Sequence, residues 1–394
     1  MASRHLYREG RLLCSRSYQS SGKGEPISLY LRANKKAILS LQGYKMHQEI
    51  KRNKSLEPKT RVAGRDSDFI SKNQVKPLVS IIVVNWNGLK HIDECLKSLL
   101  DQIYSPIEII LVDNCSEDGS VEFVRKNFSS VKIIMNDSNM GFAAAMNRGI
   151  ISASGELIAS LNQNTVADKN WLNKLVEVIL SSEDIAGASG KIYYLDNKDV
   201  IYCTWVKINP FTAIPYSFNG LEGTSSVDYL IGCAMVIRRD AIDEIGLIDE
   251  GYFLYYEDSD WCARLIRAGY KLMYIPDAIA WHAVSGSVSS SCFKFSYLMR
   301  NRIRFILKNF DVRYIFLFIM LFPIEILIDL KNDIARKDLR ASRIRFNAIL
   351  WNILNMRSTY NARRRDLSRI VHIKSYNRSL PLRSYKIGFF EKWT

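Results

Sequence analysis

The chain has 394 residues, of which 47% are hydrophobic and 11% aromatic, values typical of a globular protein with a sizeable core. The net charge of +15 comes from the two ends, because residues 1–76 carry +11, residues 77–330 carry −8 and residues 331–394 carry +12. Seven scattered cysteines, an odd number without a Cys-x-x-Cys pair, argue against a disulfide framework and against a structural zinc site.

Residues 1–76 show no sustained periodicity and are interpreted as a basic N-terminal extension and linker. From Pro77 the pattern changes. Apolar, β-branched runs predict buried strands at 78–86, 107–114, 131–137 and 156–162, and segments of helical periodicity lie between them. This alternation indicates βαβ units and an open, mostly parallel sheet flanked by helices, a fold of the α/β class.

Ligands bind such sheets at the carboxyl ends of the strands. The polar residues that follow the predicted strands are therefore the first candidates for a site: Asn85, Asp113, Asn136 and the amide cluster Asn162–Asn164. A carboxylate at Asp113 would accept hydrogen bonds from a base or a ribose. The alternative is that Asp113 only caps the next turn.

The segment 136–150 places Asn139, Gly141 and Asn147 around a helix start that is rich in small residues. Small residues allow close approach to the backbone, and a helix N-terminus favours an anion. Tight packing of the helix on the sheet explains the same pattern without a ligand.

The segment "YYEDSDWCARLIRAGY" concentrates acidic residues among aromatic ones, with Glu257, Asp258 and Asp260 within four positions. Clustered acids in partly dry surroundings repel one another, so at least one has a pKa raised toward that of a general base. Arg264 follows Asp260 by four residues, which predicts an i,i+4 ion pair and leaves Asp258 as the freer carboxylate. His282 ends the last predicted strand and would ligate a metal, meet a phosphate or be structural.

Residues 291–394 are predicted to be helical and basic. Within them the apolar run 314–330 is interrupted by Pro323 and Glu325 and is too short to span a bilayer. An interfacial or re-entrant segment flanked by Arg and Lys is expected, and a buried pair of core helices is the alternative.

Several of these segments together resemble a known family. "VSIIVVNWNG", "IEIILVDNCSEDGS", "NMGFAAAMNRGI", the long segment from "GCAMVIRRD" to "RAGYKL", and "AWHAVSGS" occur in the order of family 2 glycosyltransferases. The resemblance covers about residues 77–305 and is strongest to the branch that includes bacterial rhamnosyltransferases of cell-surface polysaccharide assembly.

The resemblance implies a GT-A fold at 77–290, followed by a helical C-terminal region at 291–394. It also implies inverting transfer from a nucleotide-diphospho-sugar, dTDP-rhamnose or similar, to a hydroxyl of a glycan or lipid-linked acceptor in cell-wall or other cell-surface polysaccharide synthesis.

Matching positions give each candidate residue an implied role. Asp258 would be the catalytic base, with Glu257 and Trp261 on the acceptor side. His282 would lie near the metal and the diphosphate. The donor side would comprise Asn85, Asp113, Asn139, Gly141, Phe142, Asn147, Asn162 and, more weakly, Arg300 with its neighbour Asn301.

The chain departs from the family at "LNQNT". The family usually has a metal-binding carboxylate where this chain has Asn164, and an amide holds Mg²⁺ or Mn²⁺ less well than a carboxylate does. Three outcomes stay open: weak metal binding through Asn164, His282 and the phosphates, metal-free catalysis with Arg or Lys, or loss of transfer with retention of nucleotide-sugar or scaffold binding.

The expected location is the cytoplasm, with peripheral contact at the inner face of the membrane, because the N-terminus lacks an apolar secretory signal and the C-terminal region is basic. Nucleic acid is not an expected partner, since the basic ends lack the modules and interleaved aromatics of nucleic-acid-binding proteins.

Overall fold

A computed structural model of the chain describes residues 76–209, 212–218, 223–283 and 291–376. The N-terminal extension, apart from Lys76, lies outside the described residues. The positions of the predicted strands and helices from residue 77 onward can be compared directly with this structure.

The first half of the sheet consists of β1 (Val79–Asn85), β2 (Ile107–Asp113), β3 (Lys132–Met135) and β4 (Leu157–Leu161). The helices between these strands are α1 (Leu89–Leu100), α2 (Ser120–Asn127) and α3 (Phe142–Ser152). β1 pairs in parallel with both β2 and β4, and β2 pairs in parallel with β3. The predicted βαβ units are confirmed, with boundaries within a few residues of those expected.

The second half adds further strands and helices to this frame. In chain order they are β5 (Thr165–Ala167), α4 (Trp171–Leu180), β6 (Ile185–Tyr194), β7 (Ile201–Cys203), β8 (Trp205–Ile208), β9 (Pro215–Phe218), β10 (Ser225–Val227), β11 (Ala234–Arg238), α5 (Arg239–Ile245), α6 (Glu257–Ala268) and β12 (Lys271–His282). The main sheet has the order β10-β12-β6-β11-β4-β1-β2-β3. β11 lies antiparallel between β4 and β6, so the sheet is mixed. The parallel part β4-β1-β2-β3 is the one the sequence predicted, and β6 and β12 form a further parallel pair.

Helices cover both faces of the sheet, and β1 shows how alternation along a strand divides the core. Ile81 packs in a cluster with Leu96 of α1 and Trp171 of α4. Ile82 points to the opposite face and packs in a second cluster with Met146 of α3. A strand that is buried on both faces accounts for the uninterrupted apolar run in the sequence.

The C-terminal region is helical, as expected. It comprises α7 (Ser291–Asn309), α8 (Val312–Ala335), α9 (Arg340–Leu354) and α10 (Met356–Tyr376). α8 continues through Pro323 and leaves most of its large apolar side chains exposed, for example Ile319 and Leu327 at 52% and 64%. The alternative of a buried core helix is therefore wrong for this segment. Among the described residues, no helix combines the length and the apolarity needed to cross a membrane.

Candidate active site

The ends of β1 and β2 are joined by side-chain hydrogen bonds. Asn85 lies opposite Asp113 in the strand register, and its Nδ2 donates to Asp113 Oδ1 at 2.8 Å and to Ser120 Oγ at 2.8 Å. The backbone N–H and the hydroxyl of Ser116 donate to the same carboxylate, at 2.9 and 2.6 Å. Asn85 and Asp113 are buried, and their hydrogen bonds to Ser116 and Ser120 fix the loop after β2. These contacts match the alternative in which Asp113 caps the turn that follows β2.

Gln163, in the amide cluster after β4, is held by the backbone at the end of β1. The N–H of Trp86 donates to Gln163 Oε1 at 2.6 Å, and Gln163 Nε2 donates to the carbonyl of Trp86 at 3.1 Å. A Cβ on Gly88 would lie 2.6 Å from Gln163 Oε1 and 2.4 Å from Asn85 Oδ1, so only glycine fits beside them. Because both polar atoms of the Gln163 amide bind the backbone, Gln163 connects the ends of β1 and β4.

The amide cluster after β4 and the start of α6 meet around the start of β11. The N–H of Asn162 donates to the carbonyl of Cys233 at 2.9 Å, while its own side-chain amide bonds to no residue that the structure describes. The neighbouring Gly232 lies so close to α6 that an added Cβ would be 2.6 Å from Asp258 Oδ2. Asn162 and Asp258, which are distant in sequence, therefore lie on either side of Gly232 and Cys233 just before β11.

Asn164 and His282 are neighbours across the antiparallel pairing of β5 with β12. His282 lies opposite Thr165, and the N–H of Ala283 donates to the carbonyl of Asn164 at 3.0 Å. The Asn164 Nδ2 donates in turn to the carbonyl of Ala283, which leaves its Oδ1 as the available atom.

The imidazole of His282 is mostly buried beside Tyr202, with ring centroids 5.6 Å apart, and its Nδ1 has no partner among the described residues. Burial, together with the nearby charges of Lys294 and His91, lowers the pKa of His282 to about 4. The ring is therefore neutral at pH 7, the form that can ligate a metal.

Asp258 and Glu257 form a carboxyl pair at the first turn of α6. The hydroxyl of Tyr229 donates to Asp258 Oδ2, and the N–H of Ser259 donates to Asp258 Oδ1 at 2.7 Å. Burial raises the pKa of Asp258, and these hydrogen bonds oppose the rise.

Glu257 is more deeply buried than Asp258, and its Oε2 has no partner in the described structure. Burial, and after it the Asp258 charge, raises the pKa of Glu257 well above its ordinary value. The pKa of Glu257 is raised further than that of Asp258, so Asp258 is the member of the pair that ionises at the lower pH.

Asp260 is separate from this pair. Its Oδ2 accepts from Arg264 Nε at 3.0 Å and from Lys308 Nζ of α7 at 2.8 Å, and it is completely buried. Burial alone would raise the pKa of Asp260, but Lys308 and Arg264 lower it overall. The predicted i,i+4 pair is present, and it fixes Asp260 as a structural anion.

The segment that begins α3 packs against the loop that precedes α6. Gly141 has a φ of 85°, and a Cβ there would lie 2.5 Å from the Phe253 ring. The N–H of Phe142 donates to the carbonyl of Phe253 at 2.7 Å, and Asn139 Oδ1 accepts from the N–H of Gly141 at 2.9 Å. Asn147 is buried and uses both ends of its amide on the backbone of Ile248. Packing therefore accounts for the small residues of this segment.

Arg300 and Asn301 of α7 hold the same loop from the other side. Asn301 Nδ2 lies 2.7–2.9 Å from the carbonyl oxygens of Tyr252, Leu254 and Tyr255. The guanidinium of Arg300 donates to the carbonyl of Tyr252 at 2.6 Å and stacks between two aromatic rings. This loop needs such support because Phe253, Tyr255 and Tyr256 all have φ between 65° and 71°, a strained region for residues other than glycine.

Comparison with known proteins agrees with this arrangement. Residues 80–246 match the sequence model of glycosyl transferase family 2. These residues form a family 2 glycosyltransferase domain.

Two relatives illustrate the range of the match. An uncharacterized glycosyltransferase of Haemophilus influenzae is 27% identical over 222 residues, which are 55% of this chain and 68% of that protein. The N-acetylglucosaminyl-diphospho-decaprenol L-rhamnosyltransferase of Mycobacterium tuberculosis is 26% identical over 236 residues, 52% of this chain and 76% of that protein.

A solved structure shows the fold. The crystal structure of GalNAc-T7 with UDP, GalNAc and Mn²⁺ superposes with a TM-score of 0.50 at 17% identity, over 60% of this chain. This chain spans about half of that structure, 48% of its length. The shared part is the GT-A fold that the sequence predicted.

The two residues that the sequence predicts at a metal, Asn164 and His282, offer an amide oxygen and a neutral ring nitrogen. Neither carries a charge, and in the described residues no three His, Cys, Asp or Glu side chains are grouped as a metal site. Hard divalent cations prefer charged oxygen ligands. These two residues fit a cation only as part of a set that phosphate oxygens complete.

The structure corrects three of the expected roles in this glycosyltransferase. Trp261 was expected on the acceptor side, but it is 1% exposed and its Nε1 donates to the carbonyl of Gly246, so it belongs to the core. Asn147 and Arg300 were expected on the donor side, but their polar groups support the loop before α6. Tyr229 was not predicted as a site residue, because nothing in the mostly apolar segment that precedes β11 distinguishes it.

Proposed function

We propose that the chain is an inverting glycosyltransferase in which Asp258 is the general base. The proposed reaction moves a sugar from a nucleotide-diphospho-sugar to a hydroxyl of a glycan or lipid-linked acceptor. The observation that carries the proposal is the carboxyl pair at the start of α6. One member, Glu257, is buried and its pKa is raised well above the ordinary value, while the other, Asp258, is half-buried and accepts hydrogen bonds from Tyr229 and Ser259.

The geometry supports a division of labour in which Asp258 takes the proton of the acceptor hydroxyl. The oxygen then attacks the anomeric carbon from the face opposite the diphosphate, which inverts the centre. Asp258 ends protonated, and the nucleoside diphosphate leaves with the bonding electron pair. A neutral Glu257 beside it avoids a second negative charge next to the incoming oxygen.

The donor would lie along the carboxyl edge of the parallel strands. The loop fixed by Asn85 and Asp113 and the segment from Asn139 to Phe142 would bound it, with the unbonded amide of Asn162 nearest to the sugar. dTDP-rhamnose or a similar donor is proposed because the mycobacterial relative is named as a rhamnosyltransferase. The name of that relative also carries a lipid diphosphate, which supports a lipid-linked acceptor in polysaccharide synthesis.

A divalent cation, Mg²⁺ or Mn²⁺, would be held by Asn164 and His282 together with the donor phosphates. When bound, it would neutralise charge that develops on the leaving diphosphate. With two neutral protein ligands, the affinity of the free protein for the cation is expected to be low.

Peripheral contact with a membrane, at its cytoplasmic face, is part of the proposal. The apolar side chains exposed along α8 and the basic charge of residues 331–394 support it, since an interfacial helix combines these two properties. The same helices would bring the base close to a lipid-linked acceptor.

A second candidate function is that of a nucleotide-sugar-binding or scaffold protein without transfer. Asn164 favours it, because a carboxylate at this position would hold a cation more firmly. The two candidates differ in whether any donor is consumed.

The test is a screen of nucleotide-sugars with purified protein and membrane lipid extract, with and without Mn²⁺, on wild type and Asp258→Asn. Consumption of one donor by wild type and its loss in the variant supports the proposal. Asp277→Asn, which changes an exposed acid on β12, is the matched control and should retain activity. Donor binding without turnover under every condition would establish the scaffold instead.

A further inference from the structure

A cavity of about 420 Å³ lies between α7 and α10, and Asp258 is not among its lining residues. Its lining consists of Asp249, Arg304, Arg357, Ser358, Asn361, Ala362 and Arg365. We call it the arginine cavity. Three of these seven side chains are guanidinium groups and one is a carboxylate, so the wall carries a net positive charge.

The α10 side of the arginine cavity presents hydrogen-bond donors that the protein does not use. Within the described residues, the side chains of Arg357, Ser358 and Asn361 make no hydrogen bond or ion pair with other protein groups. Arg365 has one long contact, 3.6 Å from its Nε to Asp366 Oδ1. Positions 357, 361 and 365 are spaced by four residues, so these side chains share one face of the helix.

The α7 side of the arginine cavity is formed by the buried guanidinium of Arg304. Arg304 is 2% exposed, donates through Nη1 to Thr359 Oγ1 at 2.9 Å and through Nη2 to Asp249 Oδ2 at 2.9 Å, and has an Nε with no partner. A buried N–H without an acceptor is unfavourable, so this guanidinium is incompletely paired within the described structure.

The carboxylate in the wall is already neutralised. Asp249 accepts from Arg304, and its Oδ2 also lies 2.9 Å from Lys308 Nζ. Lys308 also pairs with Asp260 and Asp366, at 2.8 and 2.9 Å, and Arg264 pairs with Asp260. The buried charges are therefore balanced, and the excess positive charge of the wall comes from Arg357 and Arg365. The cavity also adjoins the first turn of α10, a helix of 21 residues whose N-terminal backbone favours negative charge.

From these observations we propose that the arginine cavity binds a phosphate-bearing anion. Guanidinium groups bind phosphate oxygens through paired N–H bonds, and the hydroxyl of Ser358 and the amide of Asn361 can donate to the same group. Two sources share this chemistry, a phospholipid headgroup and a soluble phosphate. The proposal does not depend on the transferase reaction.

The test uses the full-length chain and two probes, inorganic pyrophosphate in titration calorimetry and vesicles in co-sedimentation. The vesicles are phosphatidylcholine with and without phosphatidylglycerol. The cavity variant is Arg357→Gln with Arg365→Gln. The matched control is Arg343→Gln with Arg364→Gln, which removes the same charge from exposed positions whose side chains make no hydrogen bond or ion pair in the described structure.

The cavity variant should bind at least about tenfold more weakly than the control. Weaker binding of pyrophosphate identifies a site open to soluble phosphates, and weaker binding of phosphatidylglycerol vesicles alone identifies a lipid headgroup. Pyrophosphate held elsewhere, for example in the sugar-donor cleft, would persist in both variants, so the difference between them reports on the cavity.

Asn361→Leu keeps the charge and fills the cavity. It is a second test that remains informative if the double variant misfolds. It should weaken binding of the same probe without lowering the melting temperature. Equal binding by the cavity and control variants, or no binding of either probe by wild type, would overturn the proposal.

Discussion

The hydroxyl of Tyr229 donates a hydrogen bond to the carboxylate of Asp258, although the two residues are 29 positions apart. Tyr229 precedes β11 in the chain, and Asp258 lies in the first turn of α6. The hydrogen bond therefore joins the segment before β11 to the helix that carries the proposed base. A phenol bonded to a carboxylate stabilises the ionised form and lowers its pKa. Burial acts on Asp258 in the opposite direction.

Replacing Tyr229 with Phe should therefore raise the pKa of Asp258. The acid limb of the pH profile of kcat/KM should move to higher pH by about one unit, the value of a charge-assisted hydrogen bond of about 1.5 kcal/mol. The control is Tyr274→Phe, which removes a buried hydroxyl that has no partner in the described structure. If both variants kept the wild-type limb, Tyr229 would have no influence on the base.

The second prediction concerns the loop before α6. Asn301 is buried and bonds to carbonyl oxygens of a backbone that is strained at Phe253 and Tyr255. Asn301→Ala should lower the free energy of unfolding by about 1–3 kcal/mol and reduce kcat more than it changes KM, because the loop leads directly to Asp258. Denaturant titration and steady-state kinetics measure the two effects.

Asn347→Ala serves as the control for this loop, since Asn347 is exposed on α9. It should leave both quantities at the wild-type values. An Asn301→Ala protein as stable and active as this control would show that the hydrogen bonds from Asn301 to the loop carbonyl oxygens contribute neither to stability nor to activity.

Sequence patterns predicted the parallel half of the sheet well because a strand buried on both faces leaves a long apolar run, as β1 does. They also placed Asp260 correctly, since its partner Arg264 lies only one helical turn away. The contacts of Gln163 with Trp86 and of Tyr229 with Asp258 bridge separations of 77 and 29 residues. No local periodicity encodes such pairs. Trp261 was misplaced for a related reason: an aromatic beside acids looks like a site residue until the helix orientation is known.

The third prediction addresses the neutral metal position. Asn164→Asp places a carboxylate at the proposed metal position and should raise the affinity for Mn²⁺ by about tenfold or more, since a charged oxygen binds a hard cation more strongly than an amide oxygen does. Titration calorimetry with Mn²⁺ alone and with a nucleoside diphosphate measures it. Asn197→Asp adds the same charge at an exposed position and should not change the affinity. Equal affinities in the two variants would remove position 164 from the metal site.

The fourth prediction concerns pH and His282. The folded pKa of about 4 lies below the ordinary value of 6.5, so the unfolded chain takes up a proton first as the pH falls. The folded state should therefore lose stability between pH 6.5 and pH 4, by up to about 3 kcal/mol from this residue. His282→Asn should flatten that part of the curve in denaturant titrations at a series of pH values.

His91→Asn is the comparison, because the pKa of His91 is lowered as well, but its ring is less buried. Its curve should stay close to that of wild type. A His282→Asn curve that kept the full wild-type decline would assign the acid sensitivity to other groups.

The last prediction concerns the apolar face of α8. Ile319 and Leu327 are exposed at 52% and 64%, so replacing both with Glu should leave the melting temperature nearly unchanged. The same change should greatly reduce co-sedimentation with vesicles, because charged side chains oppose insertion at the interface. Ile151→Glu with Leu180→Glu makes the same substitutions at exposed positions of α3 and α4 and should retain vesicle binding. If both double variants bound vesicles as wild type does, α8 would not be the membrane-contacting surface.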